Sequence, residues 1–465
     1  MGNELIDEAA VGRLADHLDG EVIGPHGAGY DEARKVFNGM IDRRPALIAR
    51  CASTDDVVAA VDCARQNGLP VAVRCGGHSV VGMSVCDDGM LIDLAGVSEV
   101  DVDPEARVAR TGGGVLWGEF DAATQPHGLH TPGGRVTTTG VGGFTTGGGY
   151  GWTSSMHGLT SDNLLSAEVV TADGRVLTAS EDENEDLFWG IRGGGGNFGV
   201  VTRFDFELHE LGPIVLAGEA LWPIERAPEV VRAWRDYVER APDELSTGCA
   251  VVIAPPEDFV PEHLHGRPAL AIVGMYVGDP EAGAAVVQPL KELAPDLDLF
   301  QPMPYTDFQA LLDPANPPGL RNYFRGDYLD GLSDAAIDVY LERATETVSS
   351  TTPLAQIVIF RLGAGVTSVA DEATAFSHRD AAYLFHPILL WEDPAEDERQ
   401  TASGRGLGEA MQPFGTGASY LNFTPDRDRV RDAFGTEKYR RLVALKDRYD
   451  PENLFRVNQN IVPAG

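Results

Sequence analysis

Positive charge is scarce in this chain of 465 residues: 36 Lys and Arg stand against 71 Asp and Glu, a formal net charge of −35. Only four are lysines (Lys35, Lys291, Lys438 and Lys446). A nucleic-acid partner needs a basic surface to displace counterions from phosphate, and an anionic membrane surface makes a similar demand, so neither is expected as a partner. The dominance of Arg over Lys is compatible with a high-salt habitat and equally with GC-rich coding; it bears on solubility, not on fold. Cysteine is sparse as well. Cys51, Cys63, Cys75, Cys86 and Cys249 are an odd number without a CxxC pair or metal-ligand spacing, so no metal site is expected and a reducing compartment is. No apolar run reaches the roughly 18 residues of a membrane span. The opening MGNELIDEAAVGRLADHLDG has acids where a secretory signal has an apolar core, and it lacks a twin-arginine motif. The expectation is a cytoplasmic protein. With 43% hydrophobic and 23% charged residues, the chain has ample material for a core, in two or three domains at about 150 residues each.

The chain divides by texture. From about 43 to 211, short β-branched runs alternate with helical periodicity: PALIARC, STDDVVAAVDCARQNG, LPVAVRCGG, GMLIDL. The segment 53–67 begins with a capping signal, carries apolar residues at helical spacing and stops at Gly68, which predicts a strand–helix–strand unit. Beyond Gly212-Pro213 the expected strands are longer (249–254, 270–277, 356–362, 382–391) and separated by amphipathic helices such as 228–240, the pattern of a second domain on an antiparallel sheet. The stretch with prolines at 314, 317 and 318 reads as a surface loop. A helix over 436–449, with Lys and Arg on its exposed face, is stopped by Asp450-Pro451.

Glycine is where the chemistry concentrates. Arg74-Cys75-Gly76-Gly77-His78-Ser79 follows the strand LPVAV, and a strand ending in small residues exposes successive backbone N–H groups able to cradle a pyrophosphate. It is neither a Walker loop nor GxGxxG, and alone it reads first as a tight turn. The run 131–152, TPGGRVTTTGVGGFTTGGGYGW, holds nine glycines interleaved with threonines. It offers bare amides and hydroxyls to a large, flat, polar ligand, and its spaced Val, Phe, Tyr and Trp set it apart from a flexible linker. A third run, DLFWGIRGGGGNFGVVT at 186–202, follows a hairpin signal at Asp173-Gly174.

Together RCGGHS, TTGVGGFTTGGGYGW, HGLTSDNLLSAEVVTADG, DLFWGIRGGGGNFGVVT, SYLNF and RVNQNI resemble the FAD-linked oxidoreductases of the vanillyl-alcohol oxidase and p-cresol methylhydroxylase superfamily, in the berberine-bridge-enzyme-like branch. The resemblance covers residues 43–212 and 418–463, and it implies an α+β fold. A PCMH-type FAD-binding domain of two subdomains (1–212) would be joined to an α/β substrate domain on an antiparallel sheet (213–417), with 418–465 returning to complete the first. It also implies FAD attached through His78 only, because Val136 stands where doubly attached relatives carry Cys. The cofactor contacts implied are Arg74, Cys75, Gly76, Gly77, Ser79 and Gly82; Thr137, Thr138, Gly140, Gly142, Gly143, Gly147, Gly148 and Gly151; Gly199, Val200 and Val201; and Tyr420, Asn422 and Asn458. One departure is Ser155, where relatives often have Arg.

The activity implied is oxidation: hydride removal from a C–H next to an alcohol or amine of a small substrate, with electrons returned to O2. A flavin dehydrogenase, an oxidative cyclase of secondary metabolism and a non-catalytic flavin carrier are the alternatives. The reaction needs a base for the accompanying proton. Tyr420, of the family's YxN motif, leads the candidates, although a tyrosine near pKa 10 needs lowering to act at neutral pH. Arg361, Tyr383, His386 and Glu392 follow, and strand alternation puts Tyr383 opposite His386, so only one set can face the flavin. Tyr150 and Trp152 are expected to line the substrate pocket.

Overall fold

The computed structural model describes residues 6–424 and 430–465. Its first sheet has the order Glu21–Ile23, Leu47–Arg50, Met90–Asp93, Val71–Arg74, the last three strands parallel. The helix Thr54–Gln66 makes the crossover. Ser53 sets its start by accepting the Asp56 N–H at 3.2 Å, and Asp55 and Asp56 put negative charge in the first turn, where the helix dipole favours it. Val57, Ala60, Val61 and Ala64 fall on one face and bury against the strands. The loop that leaves Val71–Arg74 begins the cofactor-side wall described below.

A second, antiparallel sheet runs Val100–Asp103, Val108–Gly112, Val200–Glu207, Leu164–Val170, Val176–Ser180. Asp173-Gly174 turns the last hairpin, with Gly174 at φ 81°. The third sheet has ten strands, and its spine is Ile214–Pro223, Pro268–Tyr276, Leu245–Ile253, Gln356–Arg361, Tyr383–Trp391, Asp327–Leu329, Gly415–Ser419. One face packs on the helices Ala227–Val238, Pro280–Lys291, Asp334–Ser350 and Asp397–Met411 through buried Trp234, Val287, Tyr340 and Leu407. Each such fully buried side chain contributes about 1.5–3 kcal/mol. The other face looks toward the first two sheets. The mixture of helices with mainly antiparallel sheets makes the fold α+β, as expected.

The last strand of the large sheet runs to Ser419, past the expected boundary at 417. The chain then returns across the glycine-rich run to the helix Val430–Tyr449, which is interrupted at Gly435 (φ 70°, ψ 166°) and packs Leu442 and Leu445 beside Leu187 and Trp189. Its expected basic exposed face is corrected in part: Lys446 is fully buried, its ammonium bonded to Asp450 (2.7 Å) and to the carbonyls of Asn197 (2.9 Å) and Phe455 (2.8 Å). Lys438 is mostly buried beside Asp371 at 3.0 Å. Among the described residues no helix is long and apolar enough to cross a membrane, and no group of His, Cys, Asp and Glu is placed to hold a metal ion.

Candidate active site

A cavity of about 300 Å³ opens where the first two sheets, the inner face of the large sheet and the C-terminal tail meet. Its cofactor-side wall is nearly all main chain and small side chains: Cys75, Gly76, Gly77, His78 and Ser79 from the first loop, Gly140, Gly142, Gly143 and Gly147 from the glycine–threonine run, and Gly199, Val200 and Val201 from the third, with Asn422 and Asn458 from the tail. Two loops interlock here. A Cβ on Gly76 would lie 2.5 Å from the Gly140 nitrogen, and one on Gly140 would lie 2.3 Å from the Cys75 sulfur, so neither position has room for a side chain.

His78 sits on this wall with both ring nitrogens engaged, Nε2 with the Thr138 hydroxyl (2.8 Å) and Nδ1 with that of Thr139 (3.4 Å), and its ring stacks on Phe37 at 4.0 Å. Burial pushes its pKa down to about 4, so the imidazole is neutral at pH 7. Among the described residues no protein acceptor takes the N–H groups of Gly77, His78 or Ser79, and the buried Oδ1 of Asn458 has no partner. Free amide donors, bare glycine walls and the absence of any carboxylate on the lining fit a large anionic cofactor such as FAD. Cys75, at the same wall, donates its thiol to the Val115 carbonyl at 3.3 Å, and burial pushes it up to about 11.

Several expected contacts lie off the wall. Arg74 gives its charge to Asp93 (2.6 Å) and a further N–H to the Lys35 carbonyl. Thr137 turns outward to Asp313, from the proline-containing stretch; that stretch is more than a surface loop, since Leu312 and Asn316 line the cavity. Thr138 reaches the site only through His78. Gly82, Gly148 and Gly151 shape turns beside Ile41, Phe376 and the Gly133 carbonyl.

The substrate-side wall is Phe324, Phe360, His386, Ile388 and Phe423 with Tyr150 and Arg135. Pairing of the strands Gln356–Arg361 and Tyr383–Trp391 explains the choice: alternate residues Phe360, His386 and Ile388 point inward. Tyr383 points to the helices, where its hydroxyl meets Glu239 at 3.2 Å, and Arg361 lies 3.8 Å from Asp243 with only its carbonyl serving the site, by accepting the Tyr150 hydroxyl at 2.7 Å. Glu392 is exposed. Trp152 packs behind the wall on Phe308 and Phe360. Ser155 is also off the wall, so close to Gly363 that a Cβ on that glycine would lie 2.6 Å from its Cα.

Tyr420 is buried behind Asn422. Its hydroxyl accepts the Gly149 N–H (3.0 Å) and an Asn422 amide N–H (2.9 Å), while burial raises its pKa to about 12, away from what a neutral-pH base requires. His386 is on the wall itself. Its Nδ1–H donates to the Arg325 carbonyl at 2.7 Å, which leaves Nε2 as the acceptor; the ring stacks on Phe423 at 3.9 Å, and burial pushes its pKa down to about 4. The residues that the sequence left unremarked are Phe37, Thr139, Asn316 and Arg135. For Arg135 there was a signal: it is the single charged residue of the run 131–152.

Comparison with known proteins agrees with this geometry. Residues 45–180 match the FAD binding domain family, and residues 419–462 match the berberine and berberine-like family. An FAD-linked oxidoreductase of Bacillus subtilis is 31% identical over 96% of this chain and 99% of its own length, and (R)-6-hydroxynicotine oxidase of Paenarthrobacter nicotinovorans is 30% identical over 96% and 98%. The crystal structure of 6-hydroxy-D-nicotine oxidase from Arthrobacter nicotinovorans superimposes with a TM-score of 0.84 at 28% identity, covering 96% of this chain and 98% of that one. By sequence, fold and cavity, the chain belongs to the berberine-bridge-like FAD-linked oxidoreductases and is an FAD-dependent enzyme.

Proposed function

We propose that the chain is an oxidase that removes hydride from a C–H next to an alcohol or amine of a small organic substrate, with O2 as electron acceptor and FAD tethered covalently through His78 alone. The observation that carries this reading is a neutral imidazole fixed on a glycine-walled cavity with no carboxylate on its lining among the described residues. Bound FAD supplies the two-electron acceptor and the site of reoxidation by O2. His78 is held in one orientation by Thr138, Thr139 and Phe37, and its unprotonated nitrogen is the nucleophile available for the tether. Single attachment is supported by Val136, a wall residue with no nucleophile, and by a Cys75 thiol held protonated. The free amides of 77–79 offer dipoles to a pyrophosphate without a side-chain cation.

In this reading His386 replaces Tyr420 as the group that accepts the substrate proton. The choice rests on geometry: Nε2 is the free acceptor on the wall, its tautomer fixed by the Arg325 carbonyl, whereas the Tyr420 hydroxyl lies behind Asn422 and is already tied. Phe324, Phe360, Ile388 and Phe423 keep water from the reacting carbon. The test is peroxide yield and reoxidation. One hydrogen peroxide per substrate turned over, with rapid reoxidation of photoreduced enzyme in air, is the expected result; slow reoxidation in air replaces the oxidase reading with that of a dehydrogenase.

A further inference from the structure

Among the described residues Arg135 is the only Lys, Arg, Asp or Glu on the cavity wall, and the mechanism above leaves it unused. It is 9% exposed. Its guanidinium carbon lies 4.6 Å from the ring centre of Tyr150, 4.5 Å from that of Trp152 and 3.9 Å from that of Phe360. Its guanidinium donates to the carbonyls of Tyr150 (3.4 Å) and Gly151 (3.1 Å), and the buried Nε–H has no acceptor among the described residues. The other two buried arginines among the described residues each have a carboxylate, Asp93 for Arg74 and Asp162 for Arg379; Arg135 has no ion-pair partner. Among the described residues no Asp or Glu forms an ion pair with this arginine.

An arginine keeps its charge in a protein, and a buried charge is expensive to hold without a counter-ion. Three aromatic faces offset part of that cost through cation–π attraction, and two carbonyls a further part, but an unsatisfied N–H and an unneutralised charge remain. The planar fork of a guanidinium matches a carboxylate, and the apolar surround strengthens the attraction.

We propose that Arg135 is the subsite for an anionic group of the substrate, a carboxylate or phenolate, held at the Tyr150–Phe360 end of the cavity beside His386. This rests on the reading of the cavity as the active site of an oxidase, and it narrows the substrate class to hydroxy or amino compounds that carry an acidic group. The apolar body of such a molecule meets Phe324, Ile388 and Phe423, leaving its oxidisable C–H between His386 and the cofactor-side wall.

The test uses holoenzyme with its flavin spectrum intact. Benzoate, phenylacetate and 4-hydroxybenzoate are titrated against the corresponding neutral amides, followed by flavin difference spectra and by calorimetry. At least one acid is expected to bind about tenfold or more tightly than its amide; Arg135→Met should weaken that acid about tenfold to a hundredfold while changing the amide less than about threefold. Arg135→Lys, which keeps the charge, should recover part of the preference and stands in if the Met variant does not fold. The proposal is overturned if no acid outbinds its amide, if the preference survives in Arg135→Met, or, where that variant does not fold, if Arg135→Lys keeps the preference undiminished. A shift of the flavin midpoint potential in Arg135→Met, with acid preference intact, assigns the guanidinium to the cofactor ring and likewise overturns it. Failure of the underlying oxidase reading is separate: it appears as missing peroxide in an enzyme that still prefers the acid.

Discussion

The Tyr420 hydroxyl accepts two hydrogen bonds, from the buried Gly149 N–H and from the partly buried Asn422 amide, which makes it an anchor of the tail against the glycine run. Tyr420→Phe leaves both donors without an acceptor, at a cost of about 1–3 kcal/mol read in thermal or denaturant unfolding. Stopped-flow flavin reduction should change less than about threefold in that variant, since the proton passes elsewhere. His386→Ala should do the opposite: reduction slows by about a hundredfold or more while the flavin spectrum stays intact. At this scale the sequence was informative where a motif confines the side chain. The RCGGHS run marks His78, and strand alternation separates His386 from Tyr383. It says less about Tyr420, because whether a hydroxyl is freed or tied depends on Gly149, distant in the chain and adjacent in space. Arg135 was visible as a lone charge among glycines and threonines, yet its lack of a carboxylate partner emerges only from packing.

The glycine-rich loops work as interlocking elements. A Cβ on Gly147 would lie 1.9 Å from the Asn422 Oδ1, so Gly147→Ala must displace the Asn422 side chain; we expect a loss of about 1–3 kcal/mol together with reduced flavin content of the purified protein, measured by absorbance. The C-terminal helix is fastened by another buried contact, the Lys446–Asp450 pair. Asp450→Ala strands the ammonium among carbonyls and should cost about 3–5 kcal/mol in chemical unfolding. The helix itself was readable from its apolar spacing and the Asp450-Pro451 stop, but the inward turn of Lys446 was not, because a lysine at helical spacing carries no mark of the Asn197 and Phe455 carbonyls that receive it. The long strands of the large sheet were legible for a related reason: alternation fixes a face locally, whereas the order of the strands is set by pairings remote in sequence.

At the scale of the molecule, the surplus of acid among the described residues stays off the cavity, whose wall there carries one arginine and two neutral histidines. Imidazoles also cluster away from the cavity, where half-buried His157 stacks on His209 at 4.0 Å and buried His130 packs against both. Burial pushes His157 down to about 4 and His130 well below its ordinary value. Because each folded-state pKa lies below the unfolded value of about 6.5, the unfolded chain takes up protons first. This contribution to stability is therefore complete above pH 6.5 and lost as pH falls toward 4, at up to about 1.4 kcal/mol per pH unit for each histidine. His157→Gln should flatten that slope in unfolding titrations between pH 6.5 and 4. The central claim, that His78 tethers the flavin and no other residue does, is tested most directly by acid precipitation of the purified protein followed by peptide mass analysis. The account predicts that the yellow colour stays in the pellet, that the peptide containing His78 alone carries the mass of FAD, and that His78→Ala releases all of it. A colourless pellet from the unaltered protein, with its FAD in the supernatant, would contradict it.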